Sequence, residues 1–161
     1  MRTQRRANRG FTFIELIVTL AIMGVLALVS VPMAQLSYQR QREHELRLAL
    51  IEIRTAIDDY KRASEQGRIA QKLGDSGYPP SLTVLVDGVE DQRSPVRRKI
   101  FFLRRVPRDP MALEDGTDAA ASWGLRSYAS PADTPQAGDD VYDVYSRSDA
   151  KGLNGVAYRS W

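Results

Sequence analysis

Cysteine is absent from the chain. That excludes a disulfide framework and all thiolate chemistry, whether catalytic or metal-binding. Histidine occurs once, at His44, which excludes a histidine-rich metal centre and leaves no workable nucleophile–histidine–acid set. No glycine-rich phosphate loop and no internal repeat is present. Acidic residues are missing from the first ten positions, where Arg2, Arg5, Arg6 and Arg9 supply four positive charges. Taking those four from the 23 basic residues leaves 19 against 20 acidic ones. The formal charge of +3 therefore mostly reports the leader and says little about nucleic acid, and the −1 that remains without the leader makes nucleic acid an unexpected partner of the rest.

The leader is followed by a long apolar run. Of the 21 residues from Phe11 to Val31, only Thr12, Glu15, Thr19 and Ser30 are polar. As a helix the run spans about 31 Å, the thickness of a bilayer core. Arginines before it hold the N-terminus in the cytoplasm and send the C-terminal part across. Glu15 is the anomaly, because a charge in hydrocarbon costs roughly 3 kcal/mol or more. A secretory signal cut after the run fits poorly, since the run is too long and lacks a small-x-small site near Ser30 to Ala34. A plain anchor leaves Glu15 unexplained. A cut before the run, between Gly10 and Phe11, is the third reading.

The stretch RGFTFIELIVTLAIMGVLALVSVP resembles the N-terminus of type IV prepilins and of type II secretion pseudopilins. The matching positions are Gly10 at the end of a basic leader, Phe11 as first mature residue, Thr12, and Glu15 as fifth. The resemblance implies cleavage after Gly10 by a prepilin peptidase and N-methylation of Phe11. It also implies pairing of the new Phe11 amine with Glu15 of a neighbouring subunit, each charge neutralising the other where the dielectric is low. In the monomer the alternative is Glu15 held by its own N-terminus. Pro32 stands where the family commonly has proline. It is expected to kink or locally melt the helix, with Gly24 a second weak point, or else to start the helix outside the membrane.

Beyond Pro32 the pattern becomes amphipathic. Leu46, Leu50, Ile53, Ile57 and Tyr60, with Ala49 and Ala56, fall on one helical face. Arg42, Glu43, Glu45, Arg47, Glu52, Arg54, Asp58, Asp59, Lys61 and Arg62 are assigned to the solvated side, with Glu43–Arg47 as a helix-spaced pair. His44 reads as a solvated helix residue. The helix is expected to end near Glu65–Gln66, at Gly67. A short helix follows Pro79 and Pro80, with Ser81 or a neighbour as its cap. Ile100 to Leu103 reads as a strand or strand-like loop closed by Pro107 and Pro110. SWGLRSYAS and VYDVYSRS read as clearer strands joined by the polar loop PADTPQAGDD. The closing aromatics are expected to tuck onto the sheet.

The order of Tyr78, Pro79, Leu82, Leu85, Val86, Phe102, Leu103, Val106, Pro107, Asp109 and Pro110 is similar to that of the major pseudopilins of type II secretion. Those proteins usually bind calcium in a C-terminal loop. Here Asp139, Asp140, Asp143, Ser146 and Asp149 are the candidate oxygen donors, but 151–158 holds no acid. Calcium takes six to eight oxygens, so a solvated acidic loop is the preferred alternative. Arg97, Arg98, Lys99, Arg104 and Arg105 surround Phe101 and Phe102, a composition that can bind DNA but more simply forms a solvated or subunit-facing patch.

The expected fold is α+β. A leader at 1–10 precedes a transmembrane and assembly helix at 11–32, an amphipathic stem at 33–66, and a periplasmic part at 67–161 on a small antiparallel sheet. The resemblance implies a non-enzymatic pseudopilin of the inner membrane with its C-terminal domain in the periplasm. Its partners would be further copies of itself, other pseudopilins, the prepilin peptidase and the lipid bilayer. A platform protein and a secretion ATPase would act indirectly. A type IV pilus subunit, structural or minor, is the alternative.

Overall fold

The structure, a computed structural model, describes residues 11–112 and 118–161. The chain divides into two compact units, Met1–Gln39 and Arg40–Trp161.

Helix α1, Phe13–Glu65, is 53 residues long. It runs through Pro32 without a break, so neither the local melting nor the helix start expected there is found. Proline deletes one ladder bond, and the unbroken helix on either side bridges that gap. The C-terminal end is a Schellman motif. Gly67 adopts φ +68, its N–H donates to Ser64 O (2.9 Å), and Arg68 N–H donates to Ala63 O (3.0 Å). Only glycine takes that left-handed turn without steric cost.

From Leu46 to Tyr60 the helix buries the face its periodicity marks out. Leu46 and Ile53 are fully buried, and Ala49, Leu50, Ala56, Ile57 and Tyr60 nearly so. Each buried Leu or Ile side chain among them contributes about 1.5–3 kcal/mol. They pack against Leu82, Leu85, Leu103, Met111, Trp123, Val141, Val144 and Tyr158. His44 is exposed, as expected.

The covering layer comprises α2 (Leu82–Asp87), β1 (Val89–Glu90), β2 (Lys99–Ile100), a 3-10 turn (Ala120–Ser122), β3 (Trp123–Arg126), β4 (Asp143–Ser146) and a 3-10 turn (Tyr158–Ser160). Ser81 sits at the N-cap of α2 with extended backbone but does not cap it; its hydroxyl pairs with Thr83 Oγ1 at 2.8 Å. The described strands form two antiparallel pairs rather than one sheet: β1 with β2, and β3 with β4 in the register Trp123↔Ser146 to Arg126↔Asp143. The segment from Ile100 to Leu103 leaves strand geometry after Ile100. Phe102 and Leu103 N–H groups both turn to Leu85 O at 3.0 Å. Along β4, Val144 and Ser146 point inward and Asp143 and Tyr145 outward. Gly124 on β3 lies under the Tyr145 ring, where a Cβ would collide with it.

Candidate assembly site at the start of the long helix

Thr12 precedes the first residue of α1, and Glu15 lies three residues on. Glu15 N–H donates to Thr12 Oγ1 (3.3 Å), and Thr12 N–H donates to Glu15 Oε2 (3.4 Å). This is a capping box: two amide donors that an N-terminus leaves without helical partners are met reciprocally. The carboxylate also lies in the first turn, at the positive end of the helix dipole. Glu15 is thus held within its own chain by Thr12. Gly10, the other side of the expected cut, lies outside the described residues.

The apolar side chains around this site face outward. Phe11 is 76% exposed, Phe13 79% and Leu28 77%; Ile14, Leu16, Ile17 and Leu20 are also exposed. Among the described residues, α1 is the one helix long and apolar enough to cross a membrane. A helix apolar all round is suited to lipid or to other helices rather than water.

In the Arg40–Trp161 unit the acids do different work. Asp109 is 1% exposed. Its carboxylate accepts the Ser146 hydroxyl (2.7 Å) and the Met111 N–H (2.8 Å), and its own N–H donates to Ser122 Oγ (3.0 Å). Trp123 Nε1 donates to Pro107 O at 2.7 Å beside this knot. Glu43, expected on the solvated face, is buried and accepts Leu153 N–H (2.8 Å) and Tyr158 O–H (3.0 Å). The closing aromatics therefore pack on α1 as well as on β4. Arg47 lies over the Trp161 ring, and Tyr158 meets that ring edge-on.

A pattern for the prokaryotic N-terminal methylation motif matches residues 5–31, which include Gly10, Phe11, Thr12 and Glu15. Two relatives extend the likeness along the chain. The type II secretion system core protein G of Dickeya chrysanthemi is 26% identical over 159 residues, covering 93% of this chain and 96% of that protein. The protein of the same name from Klebsiella michiganensis is 26% identical over 111 residues, 66% of this chain and 70% of the other. The chain is similar to type IV pilin-like proteins at its N-terminus and to core protein G of type II secretion along most of its length. No solved structure matches it. Neither relative's name denotes an enzyme.

This likeness makes the five candidate calcium donors worth placing one by one. Asp143 accepts Arg54 Nε (2.8 Å) and its neighbour Val144 N–H (2.7 Å). Ser146 faces the opposite side of β4 and is engaged by Asp109. Asp140 accepts Tyr128 N–H at 2.8 Å, Asp139 is exposed, and Asp149 stands 3.8 Å from Arg159. Among the described residues no three acidic or imidazole side chains gather as metal ligands. This donor set does not fit calcium.

The basic cluster is exposed at Arg97, Arg98, Lys99, Arg104 and Arg105, with Phe101 beside it. Phe102 packs instead against Tyr60, ring centroids 5.3 Å apart, so one of the two aromatics is not free to stack on a base. Arg68 anchors the start of the connection between β1 and β2. Its guanidinium donates twice to Asp91 (2.7 and 3.1 Å) and holds that carboxyl below its usual range, helped by the Arg93 N–H. Sequence reasoning missed the roles of Thr12, Glu43, Arg54 and Asp109. For Thr12 the signal was there, since T-x-x-E ahead of an apolar run is a capping-box signature.

Proposed function

We propose that this chain is a pseudopilin of type II secretion, cut between Gly10 and Phe11 and methylated on Phe11. It polymerises from the inner membrane into a short periplasmic filament that moves proteins through the outer membrane. The cut is made by the prepilin peptidase, and growth is driven indirectly by a cytoplasmic ATPase and a platform protein. Other pseudopilins join the same filament. The four leader arginines keep the N-terminus cytoplasmic and the C-terminal part periplasmic.

The capping box immediately after the cut carries this reading. Before cleavage the nitrogen of Phe11 is a neutral amide, and Glu15 is held by Thr12. Cleavage turns that nitrogen into an ammonium. A carboxylate accepts up to about four hydrogen bonds, so Glu15 can keep its cap and still take the ammonium of a staggered neighbour. Burial of apolar side chains supplies little drive, because lipid is as apolar as another helix. Pairing of two charges in a low dielectric supplies both drive and register.

The test is the intact mass of the protein recovered from membranes, followed by the Glu15→Leu variant. The mature chain should begin at methylated Phe11; a start near Ala34 would contradict the reading. Glu15→Leu should be processed normally and yield no filament. Loss of exoprotein release on deletion supports secretion, whereas loss of twitching alone indicates a pilus.

A further inference from the structure

Arg54 lies on the buried half of α1 and reaches three oxygens from distant parts of the chain. Its Nε donates to Asp143 Oδ1 (2.8 Å), and its Nη2 donates to Val144 O (3.2 Å) and Trp161 O (2.8 Å). One planar, permanently charged group thus gathers a carboxylate and two carbonyls from β4 and from residue 161, which is the kind of ligand set a hard cation collects. Glu43, Arg47 and Arg54 follow at helical spacing along one stripe of α1. All three hold the same segment: Glu43 at Leu153 and Tyr158, Arg47 at the Trp161 ring, Arg54 at Trp161 O.

We propose that the Arg54 guanidinium is the built-in cation that staples residues 143–161 onto the helix, so that this segment folds without calcium. The chemistry of the donors supports this from the other side. Asp143 already receives Arg54, Ser146 is committed to Asp109, and Asp140 caps Tyr128 N–H. A calcium ion placed at Asp143 would have to displace a cation already seated there, against Coulomb repulsion. The inference rests on the fold and stands apart from the secretion reading, because its readout needs no filament.

The experiment is amide hydrogen exchange by mass spectrometry on the full chain in detergent micelles, with either a calcium chelator or millimolar calcium chloride. The reporters are the Gly152 and Tyr158 amides, bonded to Val156 O and Ala150 O. In the wild type their exchange should be the same in both buffers. Arg54→Gln should exchange several-fold faster there, with the 46–60 helix face unchanged, and calcium should not restore protection. Calcium-dependent slowing in the wild type, or unchanged exchange in Arg54→Gln, overturns the proposal. If Arg54→Gln unfolds throughout, the wild-type comparison decides alone: indifference to calcium supports the staple, and dependence on it overturns it.

Discussion

Replacing Asp109 by alanine should unfasten the join between the 107–111 segment and the β3–β4 pair. The Asp109 carboxylate meets two donors, the Ser146 hydroxyl and the Met111 N–H, and Ser146 is fully buried. Alanine leaves both without their acceptor, and each abandoned buried donor costs about 1–3 kcal/mol. The expected loss is therefore about 4 kcal/mol. At roughly 4 °C per kcal/mol for a domain of this size, the midpoint should fall by about 15 °C. Asp109→Asn keeps one oxygen for Met111 and offers an amide N–H to the Ser146 hydroxyl, which can rotate to accept. It should cost less than about 1.5 kcal/mol. The assay is thermal unfolding of the full chain in detergent, followed by near-ultraviolet circular dichroism. Trp123, 1% exposed and hydrogen-bonded to Pro107 O, reports on this region. Exposed Asp133→Ala is the control. If Asp109→Ala moves the midpoint no further than Asp133→Ala, the reasoning about the buried knot is wrong.

Gly124→Ala should lose about 1–3 kcal/mol through overpacking against the Tyr145 ring, measured by urea denaturation. Adding Tyr145→Ala should return part of that loss, and equal stability of Gly124→Ala and wild type would count against the close approach. Asp91 has a lowered pKa in the fold, caused first by the Arg68 hydrogen bond. Its contribution is present above the unfolded value and is lost as pH falls through the lowered one. Below about pH 4, Asp91→Asn should therefore show a shallower fall in stability than wild type, and parallel acid limbs would refute the pairing. Glu43→Ala should speed exchange at Leu153, whose N–H loses its carboxylate acceptor, and unchanged exchange there would remove Glu43 from the account.

What could be read in the chain divides by the range of the interaction. The stem face from Leu46 to Tyr60 was legible because helical periodicity is local, and the two strands at 123–126 and 143–146 were legible by alternation. Gly67 announced the helix end for the same reason. Glu43 and Arg54 were misassigned to the solvated face because their partners lie 110 and 89 to 107 residues away, and no pattern of spacing carries that. Asp109 looked like part of a proline-flanked terminator, yet it is the acceptor for Ser146, 37 residues on. Of the strand or strand-like loop expected over Ile100 to Leu103, the loop alternative holds beyond Ile100, because tertiary demand from Leu85 O took the Phe102 and Leu103 amides. At the candidate site the apolar run, Phe11 and Glu15 were all visible. The reciprocal Thr12 bonds went unnoticed although their motif is four residues long.

The most direct measurement is a density map of the assembled filament at a resolution that shows side chains. Glu15 is predicted to lie within about 4 Å of the Phe11 nitrogen of an adjoining subunit, the reach of an ion pair. A nearest intersubunit nitrogen beyond about 8 Å, with filaments intact, would contradict the pairing that is held to join and register the subunits.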